Sequence, residues 1–144
     1  MKLSTKGRYG LRAVLDLASR PQNEPASIAS IAARQHLSEC YLEQLIAKLK
    51  KAGIVASSRG SNGGYFLAKP DTEITVGEVL RVLEGDLVVT DCFQESENCE
   101  LFDSCSTKYV WKRINESIST AVDTLTLHEV VSNSCVCGNG DKQR

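Results

Sequence analysis

The stretch "SECYLEQLIAKLKKAGIVASSRGSNGGYFLAKP", from Ser38 to Pro70, decides the fold. Ser38 is placed to cap a helix, because its hydroxyl can accept from the unpaired backbone N–H groups of a first turn. Leu42, Leu45, Ile46 and Leu49 follow at i, i+3, i+4 and i+7, which is one helical face. Gly53 stands where a C-terminal cap residue belongs. Ile54 and Val55 lead a short strand, and Tyr65, Phe66 and Leu67 form its partner. The Gly-rich tip between them contains Asn62-Gly63, a strong short-range hairpin signal. Pro70 ends the unit.

Working outward, the spacing of Leu11, Val14, Leu15 and Ala18 predicts a first helix from about Ser4 to Ser19. "RPQNEP" breaks it, and Ser27 caps a short second helix with Ile28, Ile31 and Ala32 inward. Downstream, "TVGEVLRVLEG" reads as a fourth helix. Thr75 and Glu78 have capping-box spacing, Val76, Val79, Leu80 and Leu83 form its stripe, and Gly85 terminates it. Three short helices followed by a two-stranded hairpin is the order of a winged helix-turn-helix. In that fold the third helix enters the DNA major groove and the hairpin reaches the flanking minor groove or backbone.

A longer helix is predicted from about Ser106 to Leu125, with Val110, Trp111, Ile114, Ile118, Ala121, Val122 and Leu125 on one stripe. So long a helix, far from the first core, needs an apolar surface to cover it, and a two-fold partner supplies one. The fold class expected is therefore mainly α with a small β-hairpin: a winged helix-turn-helix domain plus a long dimerisation helix. Residues 1–85 form the DNA-binding domain and 86–106 a cysteine-rich loop. Residues 107–132 form the dimerisation region, and 133–144 a disordered tail.

The net charge of −1 hides an asymmetry. Residues 1–70 hold 11 Lys+Arg against 4 Asp+Glu, a surplus of +7, and residues 71–144 hold 6 against 14, or −8. A basic half in a near-neutral chain points to an anionic partner, most simply double-stranded DNA. The solvent face of the third helix carries Glu39, Cys40, Glu43, Gln44, Lys48 and Lys51. Gln44 can read adenine with two hydrogen bonds, and Glu43 can accept from a cytosine amine. Lys48, Lys50 and Lys51 would neutralise phosphates without reading sequence. Arg59 stands at the wing tip, where a guanidinium can enter a narrow minor groove. Ser38, Cys40, Tyr41, Glu43, Gln44, Lys48, Lys51, Arg59, Gly60 and Ser61 make up the expected DNA-contacting set. Glu43 repels phosphates, so it is expected to penalise sites that offer no cytosine amine.

No apolar run approaches the roughly 18–20 residues that cross a bilayer. The basic start of the chain lacks the features of a signal peptide. A cytoplasmic protein is expected, and six cysteines there favour metal or redox chemistry over disulfides. Three of them lie in "DCFQESENCELFDSC", Asp91 to Cys105, among five acids and no base. Cys92, Cys99 and Cys105 are separated by six and then five residues, unlike the close pairs of most zinc sites. Three thiolates and a fourth ligand on an iron–sulfur cluster, a zinc ion, and a thiol switch all remain open on spacing alone.

Four stretches, "STKGRYGLRAVLDLA", "YLEQLIAKLKKAGIV", "SSRGSNGGYFLAKP" and "ITVGEVLRVLEG", resemble the family of regulators containing IscR, NsrR and CymR, over roughly residues 1–130. The chain is most similar to the IscR members, which regulate iron–sulfur cluster assembly genes. The resemblance implies a dimeric winged-helix transcription factor, with Cys92, Cys99 and Cys105 at the positions of the cluster ligands. In those members a histidine three residues after the third cysteine completes a 2Fe–2S site; here that position is Lys108. A protonated amine has no lone pair to give, so the fourth ligand stays open among Glu100, Asp103, His36, His128 and a group from a partner subunit. The resemblance favours 2Fe–2S over the 4Fe–4S of nitric-oxide-sensing relatives. It also implies that cluster occupancy tunes DNA binding, with repression of cluster-biogenesis genes as the output. Cys135 and Cys137 have no counterpart in it. Alternatives are a thiol-redox, nitric-oxide or zinc-responsive regulator of the same fold, or a CymR-like regulator of cysteine metabolism acting through a protein partner. No nucleophile–base constellation or phosphate loop is present, so neither an enzyme nor a small-molecule substrate is expected.

Overall fold

The computed structural model describes residues 2–93 and 99–137. Its helices are α1 (Thr5–Ala18), α2 (Ile28–Gln35), α3 (Glu39–Lys51), α4 (Val76–Glu84), α5 (Lys108–Asp123) and α6 (Leu127–Cys137). An antiparallel pair, β1 (Val55–Ser58) and β2 (Gly64–Leu67), lies between α3 and α4. Single 3-10 turns occupy Asp71–Glu73 and Asp91–Phe93.

The helix starts follow from side-chain chemistry. Ser4, Ser27 and Ser38 each accept from a backbone N–H two or three residues on, those of Lys6, Ser30 and Tyr41. Thr75 and Glu78 form the reciprocal capping box their spacing predicts. The inward stripes of α1, α2 and α3 then meet. Val14, Ile31, Leu42, Leu49 and Ile74 are fully buried, and Leu45 and Ile46 nearly so. Each such side chain contributes about 1.5–3 kcal/mol relative to exposure. On the α1–α4 side the helices touch closely at Gly7 and Gly10. A Cβ at Gly7 would lie 2.5 Å from Glu84 Oε1, and one at Gly10 would land on Leu83.

Register pairs Val55 with Leu67 and Ser58 with Gly64, leaving a five-residue tip, 59–63. Asn62-Gly63 therefore does not form a two-residue turn. Instead Gly63 N–H donates to Gly60 O at 3.0 Å, and the left-handed φ falls at Gly60 (+106°). Gly64 (φ +155°) runs so close to Ala26 that a Cβ would sit 2.6 Å from its carbonyl oxygen. That approach lets Ala26 and Tyr65 exchange two backbone hydrogen bonds, at 2.9 and 2.8 Å. The wing is thus fastened to the segment preceding α2.

The C-terminal region is two helices rather than one. After α5, residues 124–126 turn the chain back onto the segment before α4. Val76 N–H donates to Leu125 O and Leu127 N–H to Ile74 O, both at 2.9 Å. Leu127 enters the first core with no exposed surface. Thr126 and Glu129 cap α6 reciprocally, Thr126 N–H donating to Glu129 Oε2 at 3.0 Å and Glu129 N–H to Thr126 Oγ1 at 3.2 Å. The tail expected to be disordered from 133 is helical as far as Cys137; residues 138–144 lie outside the described residues. Among the described residues no helix is long and apolar enough to cross a membrane.

Candidate functional site

Two groups of residues carry chemistry, one on α3 and the wing, the other on the segment between α4 and α5. On α3, burial of Leu42, Leu45, Ile46 and Leu49 turns Cys40, Glu43, Gln44, Lys48 and Lys51 to solvent. These exposed positions are spaced 3, 1, 4 and 3 apart, one continuous stripe along the helix. Ser38, at the start of that stripe, is exposed but uses its hydroxyl on Tyr41 N–H. Arg59, Gly60 and Ser61 are exposed at the wing tip.

Tyr41 differs from the others. It is half-buried, its hydroxyl lies 3.0 Å from Thr5 Oγ1, and its ring meets that of Tyr9 edge-on at 6.2 Å between centroids. The structure therefore places Tyr41 between α3 and α1, where it seats the helix. Arg8 and Arg12 lie over the Tyr9 ring, each with Cζ 5.6 Å from its centroid.

The α1–α2 angle is held by Asp16. Arg34 donates to its carboxylate through Nη2 at 2.7 Å and Nε at 2.9 Å, and Gln35 Nε2 donates at 2.9 Å. Burial alone would raise the Asp16 pKa, but the hydrogen bonds from Arg34 and Gln35 and the charges of Arg34 and Arg20 hold it below the usual carboxylate value.

Both ends of the cysteine segment are anchored to α4 and α5. Leu87 is buried with Val76 and Leu80. Val89 N–H donates to Asn115 Oδ1 at 3.0 Å. Asp123, at the end of α5, takes two hydrogen bonds from Arg81 on α4. Cys92 sits in the 3-10 turn Asp91–Phe93, Cys99 is exposed, and Cys105 lies just before α5. Residues 94–98, with Glu95 and Glu97 among the expected loop acids, lie outside the described residues.

Cys105 Sγ is 3.0 Å from Thr107 Oγ1. That hydrogen bond, with the backbone N–H groups of Thr107 and Lys108 and the Lys108 charge, moves the thiol pKa down from its ordinary value. The Lys108 ammonium donates to Asp103 O at 3.1 Å and lies 4.9 Å from the Phe102 ring centroid. Phe102 in turn meets Phe93 edge-on at 6.0 Å.

Cys92, Cys99 and Cys105 supply the kind of thiol donors an iron–sulfur cluster takes, but the structure does not bring the three together into one group. The Lys108 ammonium, spent on a carbonyl and a ring face, does not fit the fourth. His128 is bound to Asp71, its Nδ1 3.2 Å from Oδ2. In the chain it lies beyond the far end of α5 from Cys105, a helix about 24 Å long at 1.5 Å rise per residue. His36 caps the end of α2 in a left-handed conformation (φ +55°). Neither histidine joins the described cysteines in a metal-sized group. Among the described residues no three His, Cys, Asp or Glu side chains form a metal-sized group.

Residues the sequence reading passed over are Thr5, Tyr9 and Glu84, which bear on α3 or α1. Nothing local marks them; their partners on other helices lie 32 or more positions away in the chain. The α6 cap did carry a readable signal, the Thr126-x-x-Glu129 spacing.

Comparison with known proteins bears on both groups. The model of the Rrf2 family, described as iron-dependent transcriptional regulator, matches residues 3–133. The HTH-type transcriptional regulator IscR of Serratia proteamaculans (strain 568) is 42% identical over 143 residues, 99% of this chain and 87% of that protein. Among solved structures, T. potens IscR superposes with a TM-score of 0.75 at 44% identity, covering 93% of this chain and 88% of that one. CymR, the global cysteine regulator of B. subtilis, superposes with a TM-score of 0.78 at 39% identity, covering 92% and 98%.

Proposed function

The chain belongs to the Rrf2 family of iron-dependent transcriptional regulators, and from that premise we propose that it is a cytoplasmic homodimer that grips operator DNA according to the state of Cys92, Cys99 and Cys105. The observation that carries this reading is the join of the two groups through α4. The exposed stripe of α3 suits a major groove, and the thiol segment is anchored on the helix next to it.

On the DNA side, Gln44 pairs with adenine, Glu43 accepts from a cytosine amine, and Lys48 and Lys51 neutralise phosphates. Arg59 enters the minor groove from the wing. Two α3 helices in a dimer span successive major grooves, about 34 Å apart, on a near-palindromic site. On the sensing side, Cys92, Cys99 and Cys105 would hold an iron–sulfur cluster, 2Fe–2S in preference to 4Fe–4S. Such a group supplies an iron centre responsive to iron supply and redox state. Three engaged thiols would tie Cys92, near the end anchored on Asn115, to Cys105 at the start of α5. The output is repression of genes for cluster assembly.

The likeness to CymR favours a second reading, a regulator of cysteine metabolism whose thiols stay metal-free. One experiment separates them. Protein purified without oxygen is assayed for iron and sulfide, and its affinity for duplexes enriched by in vitro selection is compared with that of Cys92→Ala. Iron and sulfide, with an affinity or selectivity change of about 5–150-fold between the two proteins, are expected. Iron-free protein that binds DNA like the variant overturns the cluster reading in favour of the second.

A further inference from the structure

Glu84 is the last residue of α4, and its carboxylate reaches across to the start of α1. Oε1 accepts from Ser4 N–H at 2.8 Å, Ser4 Oγ–H at 2.6 Å and Gly7 N–H at 2.9 Å. A carboxylate there complements the positive end of the α1 dipole, and these hydrogen bonds hold its pKa below the ordinary value. The contact is close because Gly7 has no Cβ to hold the helices apart.

The next link is Thr5, whose Oγ1 lies 3.0 Å from the Tyr41 hydroxyl in the first turn of α3. In the other direction Glu84 is followed at once by Gly85, at a positive φ (+85°, ψ −152°), and then by Leu87, Val89 and Cys92. Hydrogen bonds and short stretches of chain therefore link the residues leading to Cys92, through the end of α4 and the start of α1, to Tyr41 in the first turn of α3.

We propose that Glu84 is the positioning residue that ties the seating of α3 to the segment carrying the cysteines, through Ser4, Thr5 and Tyr41. The coupling half of this statement rests on the function proposed above; the seating half does not. Glu84 touches no DNA. It fixes the start of α1, and α1 fixes the first turn of α3, where Cys40, Glu43 and Gln44 begin. Movement of Gly85 and the residues after it displaces the Glu84 carboxylate, and the capped turn of α1 moves with it.

Two readouts on the full chain test this. Amide hydrogen exchange on metal-free Glu84→Ala is expected to accelerate about tenfold or more at Ser4–Gly7 and in the first turn of α3. Glu84→Gln, which keeps an acceptor oxygen, is expected to restore most of the protection. In DNA binding, the affinity ratio between anaerobic protein and its Cys92→Ala form is expected to fall to within about twofold in the Glu84→Ala background, with secondary structure retained. Unchanged exchange in the first turn of α3 overturns the proposal, and so does an unchanged affinity ratio. If Glu84→Ala does not fold, Tyr41→Phe replaces it. That variant should accelerate the first turn of α3 while Ser4–Gly7 stay slow, and unaltered exchange there overturns the link. Identical DNA binding by wild type and Cys92→Ala sinks the functional reading instead. The seating role of Glu84 is then decided by exchange, which needs no metal.

Discussion

Glu43 and Asp16 are both carboxylates in a basic half-chain, and their surroundings give them opposite roles. Glu43 is exposed on the α3 stripe, where it is proposed to discriminate between DNA sites. Asp16 has a side chain 6% exposed and fastens α1 to α2 through Arg34 and Gln35. Its folded-state pKa lies below the unfolded value, so its contribution is fully present above the ordinary carboxylate pKa. That contribution disappears as pH falls through the folded value. Asp16→Asn is expected to lose about 1–2 kcal/mol in urea unfolding at neutral pH, the worth of a charged hydrogen-bond set with one exposed end. The gap between the two proteins should hold down to about pH 5 and shrink as acid protonates Asp16. At the same scale, Lys108 sits where the resemblance led one to look for a histidine. Its ammonium is held by Asp103 O and the Phe102 ring, in a position that favours the Cys105 thiolate and offers no ligand.

Among the elements, α1 and α4 pack closely enough that two glycines are needed at the crossing. Gly10→Ala gains about 1 kcal/mol of helix propensity but drives a methyl into Leu83, a conflict that costs about 1–3 kcal/mol. A net loss of stability is expected, read as a lower Tm in a thermal melt, and a higher Tm would show that α4 can move away freely. Helices α1 to α4 were legible because each start is written in a local signal, a Ser or Thr cap, and each inward face in a 3.6-residue stripe. The wing was legible as a hairpin but not in its turn. Asn62-Gly63 favours a two-residue loop, yet close approach of Gly64 to Ala26 sets the register and leaves five residues at the tip. The break that separates α5 from α6 was not read as one, because what ends α5 is the pairing of residues 125–127 with 74–76.

At the scale of the whole molecule, the largest unmet demand among the described residues is the outer face of α5. Tyr109 is 65% exposed, Val110 47% and Ile114 37%, while Ile118 and Val122 on the same helix pack against α4. Half the stripe is thus covered within the chain, and a second copy is proposed to cover the rest. Val110→Asp combined with Ile114→Asp is expected to sediment as a folded monomer and to bind a two-half-site duplex at least about tenfold more weakly. A variant that remains dimeric would place the interface elsewhere. Sequence alone determined the winged-helix order, the α3 stripe and the three loop cysteines. Caps, hydrophobic periods and turn residues act between neighbours in the chain, so a local reading recovers them. Only the tertiary structure decided that Tyr41 faces α1, that Glu84 caps a helix 80 positions away and that α6 closes the first core with Leu127. Those contacts join residues far apart in the chain, and they exist only once packing has fixed where the helices cross.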